Sequence, residues 1–272
     1  MKEFHIISSG VSLITNAQRK GILPKDRKIS DEEYWRDIFL DDKEVKKLYS
    51  FLKENPMENS AELNTFLRVV KNKNAKDIEV YLFGTNTKSN ELCRLVIGQY
   101  IKELGYVLYD AKEIAGYFGD RGFDEKYARD EFQKDISLLL DRLIYLGRKK
   151  IKEGYKVYYN PTGGFKAHVI ATALAGFMVD SFVYYMNEEF NEVIFLPKMF
   201  YLPKGREIEI LKKINDKGII SGSECEKLID EYTDEIDRLN LYGLLDIEID
   251  DTGKIYRLKL TNKGKLILEK IK

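Results

Sequence analysis

Asn160-Pro161-Thr162-Gly163-Gly164-Phe165-Lys166 is the segment of this chain with the most chemical character. It follows a strand pattern, Lys156 to Tyr159, and leads into an apolar helix predicted from about Phe165 to Tyr184. A glycine turn in that setting aims backbone N–H groups and a lysine at one place, which is a way to hold a phosphate without a metal. The same glycines also fit a plain strand-to-helix turn. Lys166 stands at the helix end where the backbone dipole disfavours a cation, and an anion beside it would account for that. The spacing matches neither a P-loop nor a Gly-x-Gly-x-x-Gly turn. Two other turns have the same setting, Ser8-Ser9-Gly10-Val11-Ser12 and Gly84-Thr85-Asn86-Thr87. Together the three offer N–H groups, hydroxyls, amides and one lysine, with no carboxylate cluster and no histidine pair. That set suits an anionic, hydrogen-bonding ligand such as a nucleotide or a phosphodiester.

The elements that must position these turns alternate between strands and helices. Strand patterns lie at Phe4–Ser8, Ile78–Phe83, Tyr106–Tyr109, Lys156–Tyr159 and Val193–Leu196. Helical patterns begin near Ser12 and cover Asp31–Glu54, Ala61–Lys71 behind an N-cap at Ser60, Asn90–Leu104 and Asp124–Glu153. This alternation predicts an α/β domain, residues 1–200, with a Rossmann-like parallel sheet flanked by helices. Ligands of such sheets sit beyond the carboxyl ends of the strands, where all three turns fall. Pro197 and Pro203-Lys204-Gly205 mark a junction. Residues 205–272 then give three short helical patterns, two strand-like runs and a last helix, the order of a winged helix-turn-helix.

Composition narrows the classes. The chain of 272 residues carries 45 Lys+Arg against 45 Asp+Glu, so it is not an obvious polyanion binder as a whole. Cys93 and Cys225 form no metal-type pair, and a reducing cytoplasm is the expected compartment. Neither a signal peptide nor a membrane span is expected. Residues 205–272 hold 13 Lys+Arg and 15 Asp+Glu, and the segment expected to read DNA, Thr233 to Asn240, starts acidic. That opposes the counterion release that drives duplex binding. Lys254, Arg257, Lys259, Lys263 and Lys265 leave weak DNA contact through a basic wing open. A dimerisation or lid module is the plainer expectation.

Gly10-Val11-Ser12-Leu13-Ile14-Thr15-Asn16 resembles the Gly-x-Ser-Leu-x-x-Asn signature of CRISPR-associated Rossmann-fold (CARF) domains. Asn160 to Lys166 resembles that family's second signature, Asn-x-Thr-Gly-Gly-x-Lys. Ser60-Ala61-Glu62-Leu63-Asn64 and Thr85-Asn86-Thr87 are similar to family segments more weakly. The resemblance implies a homodimer binding a cyclic oligoadenylate, with cyclic tetra-adenylate matching the two-fold axis. By the same resemblance, Ser12 and Lys166 carry the chemistry. Ser9, Gly10, Val11, Asn16, Thr85, Thr87, Asn160, Thr162, Gly163, Gly164 and Phe165 contact the ligand, with Arg129 a further candidate.

Many relatives carry a ribonuclease domain with an Arg-x-x-x-x-His motif. Neither His5 nor His168 has that upstream arginine. The expected activity is therefore a ring nuclease cutting cyclic tetra-adenylate into linear di-adenylate with 2′,3′-cyclic phosphate ends, without metal or cofactor. The alternatives are a ligand-responsive DNA-binding regulator and a non-catalytic messenger sensor. RNA supplies its own nucleophile, so positioning and charge stabilisation suffice. Lys166, Ser12 and the N–H groups of the Gly163-Gly164 turn are expected to stabilise the phosphorane, with Ser12 also orienting the 2′-hydroxyl. His168, on an apolar helix, is expected to be structural.

Overall fold

The computed structural model describes residues 2–110, 125–187, 189 and 191–271, the side chains of 125–131 aside. The chain divides into two units, Met1–Leu196 and Pro197–Lys272.

The first unit is a mixed α/β domain. Its strands are β1 (Glu3–Ser8), β2 (Ile78–Phe83), β3 (Val107–Leu108), β4 (Lys156–Asn160), β5 (Phe182–Asn187) and β6 (Glu192–Phe195). They form one sheet in the order β3-β2-β1-β4-β5-β6. All neighbours run parallel except β5 and β6. The helices are α1 (Ser12–Arg19), α2 (Glu32–Leu40), α3 (Asp42–Glu54), α4 (Pro56–Asn59), α5 (Ala61–Val69), α6 (Lys88–Glu103), α7 (Glu125–Lys152) and α8 (Lys166–Met178).

Strand alternation divides the core in two. Ile7, Val80 and Leu82 face the layer that holds Leu13, Trp35, Leu48 and Phe66. Phe4, Ile6, Tyr81 and Phe83 face Leu139, Leu143 and Ala175 of α7 and α8. Both faces being buried explains why these strands read as unbroken apolar runs. From β1 the chain winds to β2 and β3 on one side, and later returns to β4 on the other. The resulting switch point places the carboxyl ends of β1, β2 and β4 side by side.

Three expectations need correction. The helix after Lys166 stops at Met178 rather than reaching Tyr184, because Asp180 takes a positive φ of 57° and Phe182–Asn187 pairs as β5. Aromatic and β-branched residues favour that pleated setting. The last strand is antiparallel, because the short connection from Asn187 to Glu192 cannot carry a crossover. Asp31–Glu54 is two helices, broken where Asp41 adopts an extended conformation and caps α3 with its carboxylate.

The second unit runs α9 (Arg206–Lys217), β7 (Ile219–Ser221), α10 (Ser223–Leu241), β8 (Leu245–Ile249), β9 (Ile255–Leu260) and α11 (Asn262–Ile271). Its sheet is antiparallel in the order β7-β9-β8. Tyr232 breaks α10 with φ −135°, where sequence suggests two separate helices. Leu211, Ile214, Leu239, Leu244 and Leu258 form its core.

One tyrosine fixes how α7 and α8 lie on the sheet. Tyr159 of β4 is fully buried, and its hydroxyl donates to the carbonyl of Leu143 at 2.9 Å. A Cβ at Gly147 of α7 would collide with that hydroxyl. Gly147→Ala is thus expected to lower Tm, although alanine is the better helix former by about 1 kcal/mol. Overpacking there costs about 1–3 kcal/mol. A circular-dichroism melt at or above the wild-type Tm would show that Tyr159 does not seat α7.

Candidate functional site

At the switch point the turns after β1 and β4 touch backbone to backbone. A Cβ on Gly10 would lie 2.6 Å from the amide nitrogen of Gly164. Gly164 itself has φ 102°, and a Cβ there would lie 2.6 Å from Ser8 Oγ. Both constraints require glycine, for close approach and for left-handed backbone. These glycines therefore have a packing reason in addition to any ligand.

Beneath that contact lies a residue the sequence reading did not single out. Glu62, in the first turn of α5, is 1% exposed. Its Oε1 accepts from the Gly10 N–H at 2.6 Å. Its Oε2 accepts from Ser12 Oγ at 2.9 Å and from Ser60 Oγ at 2.8 Å. A Cβ on Gly163 would collide with the same carboxylate. A buried carboxylate is tolerable only when donors surround it in this way. The signal in sequence was a carboxylate four residues before Phe66, on the buried face of α5.

This changes the electrostatics of the first turn. The Gly10 N–H is committed to Glu62, so the turn does not present that group to a phosphate. Ser12 Oγ also accepts from the Ala61 N–H at 3.1 Å.

The turns open onto a cavity of about 1080 Å³. Every predicted contact residue lines it except Ser9, Asn16, Asn160 and Lys166; the side chain of Arg129 lies outside the described residues. Ser9 is buried behind the wall, its N–H donating to Phe83 O at 2.7 Å and its carbonyl accepting from Asn90 Nδ2 at 2.8 Å. Asn16 donates to the carbonyls of Glu58 and Asn59, fastening α1 to the entry of α5. Asn160 Oδ1 accepts from the Thr162 N–H at 3.0 Å and shapes the second turn. Lys166 opens α8, exposed, next to cavity-lining Phe165. The hydroxyl of Thr162 accepts from Thr65 at 3.1 Å, and those of Thr85 and Thr87 lie 3.0 Å apart.

Sequence reading also missed the rim. Arg27 and Lys28, in the connection between α1 and α2, line the cavity as well. Trp35 Nε1 donates to the Lys28 carbonyl at 2.9 Å, and Gln18 Nε2 donates to that of Arg27 at 2.7 Å. Lys25, Arg27 and Lys28, grouped around Asp26, were the available signal. Asn90, whose amide also donates to the Gly10 carbonyl at 3.1 Å, lines the wall from α6. Among the described residues no group of three or more His, Cys, Asp or Glu is placed to hold a metal ion. Among them, too, no helix is long and apolar enough to cross a membrane.

His168 is buried in α8 beside the rings of Phe83 and Phe165. Burial, with the charge of Arg94, pushes it down to about 4 from an ordinary 6.5. Between those values the unfolded chain binds a proton that the native site refuses, so stability falls as pH drops from 6.5 towards 4. His168→Leu is expected to flatten that slope by up to about 1.4 kcal/mol per pH unit. Urea titrations with identical pH slopes in both proteins would remove His168 from the acid response.

Residues 57–199, more than half of the chain, match the family described as CRISPR-associated protein (Cas_APE2256). That span contains the second glycine turn and Glu62. Among solved structures, the chain is similar to the crystal structure of protein VC1899 from Vibrio cholerae, with 9% identity and a TM-score of 0.30. The similarity covers 70% of this chain and 57% of that one.

Proposed function

Since this chain belongs to the CRISPR-associated family Cas_APE2256, we propose that its first unit is a CARF-type, Rossmann-like domain that binds and cleaves cyclic tetra-adenylate, switching off a cyclic-oligoadenylate signal. The observation that carries this reading is the contact of the two glycine turns at the floor of one open cavity. That contact brings both signature segments, 150 residues apart in sequence, to one place beyond the strand ends.

The cavity supplies what in-line cleavage of RNA needs. Ser12 and the threonine hydroxyls orient the ribose, while Lys166 and the amino end of α8 meet the phosphate. The ribose 2′-oxygen attacks phosphorus as its proton passes to solvent, the bond to the 5′-oxygen breaks, and solvent returns a proton to that leaving oxygen. The products are a 2′,3′-cyclic phosphate and a free 5′-hydroxyl. Preorganised donors carry most of such a rate gain.

The ring has two-fold symmetry, and the surface of α8 supports a second copy. Ile170, Leu174 and Met178 recur every four residues and are 66%, 40% and 45% exposed. This apolar stripe runs from the same helix end that carries Lys166. Two protomers joined along it set two half-sites against one ring. Ile170→Glu is expected to convert dimer to monomer in light scattering and to abolish cleavage at micromolar protein. A dimeric variant with full activity would place the axis elsewhere.

The second unit we read as a winged helix-turn-helix serving as a dimerisation or lid module. Lys254, Arg257 and Lys259 pair with Glu226, Glu248 and Asp246 at 2.8–3.0 Å. Arg238 pairs with Glu207 at 2.8 Å. Cations already matched to carboxylates contribute little to counterion release, which disfavours a DNA-binding regulator.

Labelled cyclic tetra-adenylate incubated with the protein in EDTA is expected to yield di-adenylates with 2′,3′-cyclic phosphate ends. Intact ring under single-turnover excess of enzyme would reject catalysis, and tight binding without turnover would make the protein a sensor. Lys166→Ala should slow cleavage by about 10²–10³ while weakening binding less.

A further inference from the structure

Resting on that reading, we infer that Glu62 is a positioning residue that makes Ser12 an acceptor, so that the site selects ligands bearing a ribose 2′-hydroxyl. A hydroxyl has one proton to donate and two lone pairs to receive with. The partners of Ser12 leave no choice of direction. A carboxylate can only accept, so Ser12 donates its proton to Glu62 Oε2 at 2.9 Å. A backbone N–H can only donate, so one lone pair of Ser12 receives from Ala61 at 3.1 Å. One lone pair remains, on a residue that lines the cavity. Ser12 therefore accepts one hydrogen bond from a ligand and has none to give.

The lock does not slip easily. Ser60 donates to the same Oε2 at 2.8 Å and receives from the Leu63 N–H at 3.3 Å, so its proton is committed too. The Gly10 N–H holds Oε1 at 2.6 Å. Gly163 lies against the carboxylate so closely that no Cβ fits between them. Glu62 has neither the room nor the partners to turn away. A phosphate oxygen, which only accepts, gains nothing from Ser12 and is repelled by the carboxylate behind it. A ribose 2′-hydroxyl, which can donate, fits. Of the two duties expected for Ser12, the geometry favours orienting the 2′-hydroxyl over stabilising the phosphorane. The phosphate is left to Lys166, Arg27 and Lys28.

The test compares three cyclic tetra-adenylates by stopped-flow binding completed before turnover: the natural ring, its 2′-deoxy analogue and its 2′-fluoro analogue. Fluorine accepts weakly and cannot donate. Wild-type protein is expected to bind the natural ring about tenfold tighter per half-site than the deoxy ring, from the loss of one hydrogen bond, with the fluoro ring no tighter than the deoxy. Fluoro binding as tight as natural would mean that Ser12 donates, and would overturn the inference from wild-type protein alone. Glu62→Gln is nearly isosteric and places an amide donor beside Ser12, releasing the serine proton. Its discrimination between natural and fluoro rings is expected to collapse towards unity. Undiminished discrimination in a variant with wild-type circular dichroism would reject the role of Glu62 while leaving ring binding intact. Failure of wild-type protein to bind the natural ring would reject the functional reading itself, and the inference with it.

Discussion

The site depends on one buried carboxylate. Glu62 joins the N-terminal turn of α5 to the turn after β1, and its bulk sets the clearance for the turn after β4. Its neighbours are explained by it. Gly163 is glycine because the carboxylate is there, and Gly10 and Gly164 because the two turns then meet at backbone distance. Ser12 and Ser60 are hydroxyls because an acceptor with several lone pairs must be surrounded by donors. Removing such an acceptor from under two turns would strand the Gly10 N–H in a buried place.

A carboxylate at the floor gives the cavity a polarity that a simple phosphate cradle lacks. The floor accepts hydrogen bonds, whereas Arg27 and Lys28 line the cavity elsewhere and Lys166 stands outside that lining, next to Phe165 at the amino end of α8. A ligand whose hydroxyls face inward and whose phosphates face outward matches that division. In a cyclic ribonucleotide, hydroxyl and phosphate lie on adjacent ribose positions, so a short span satisfies both. A 2′-oxygen held at the floor and a phosphate held by cations are the nucleophile and the centre of an in-line attack, with the 5′-oxygen leaving on the far side.

The parallel strands other than β5 were largely legible, because strands buried on both faces leave unbroken runs such as Ile78–Phe83, whereas the strand order that creates the switch point was not. The three turns were legible through glycine, serine and threonine at strand ends. The end of α8 was not, because apolar and aromatic residues continue past Met178, from Phe182 to Met186, and the backbone turn at Asp180 that stops the helix leaves no strong local pattern. The contact between Gly10 and Gly164 joins residues far apart in sequence and leaves no local pattern. Glu62 was named only as part of a segment, since two of its partners, Gly10 and Ser12, come from the β1 turn and α1. Asn16 and Asn160 were read as ligand contacts; the structure gives them protein partners, the Glu58 and Asn59 carbonyls for Asn16 and the Thr162 N–H for Asn160. Sequence spacing brings such residues near a site without showing which way they face.

The most direct measurement is a crystal structure with a cyclic tetra-adenylate whose 5′-bridging oxygens are replaced by methylene, which blocks cleavage and keeps every ribose 2′-hydroxyl. The account predicts one ring shared by two protomers, a ligand ribose hydroxyl at about 2.6–3.0 Å from each Ser12 Oγ, and the phosphates directed towards α8 and the Arg27–Lys28 rim. A ring bound away from the glycine turns, or one with a phosphate oxygen against Ser12, would contradict it.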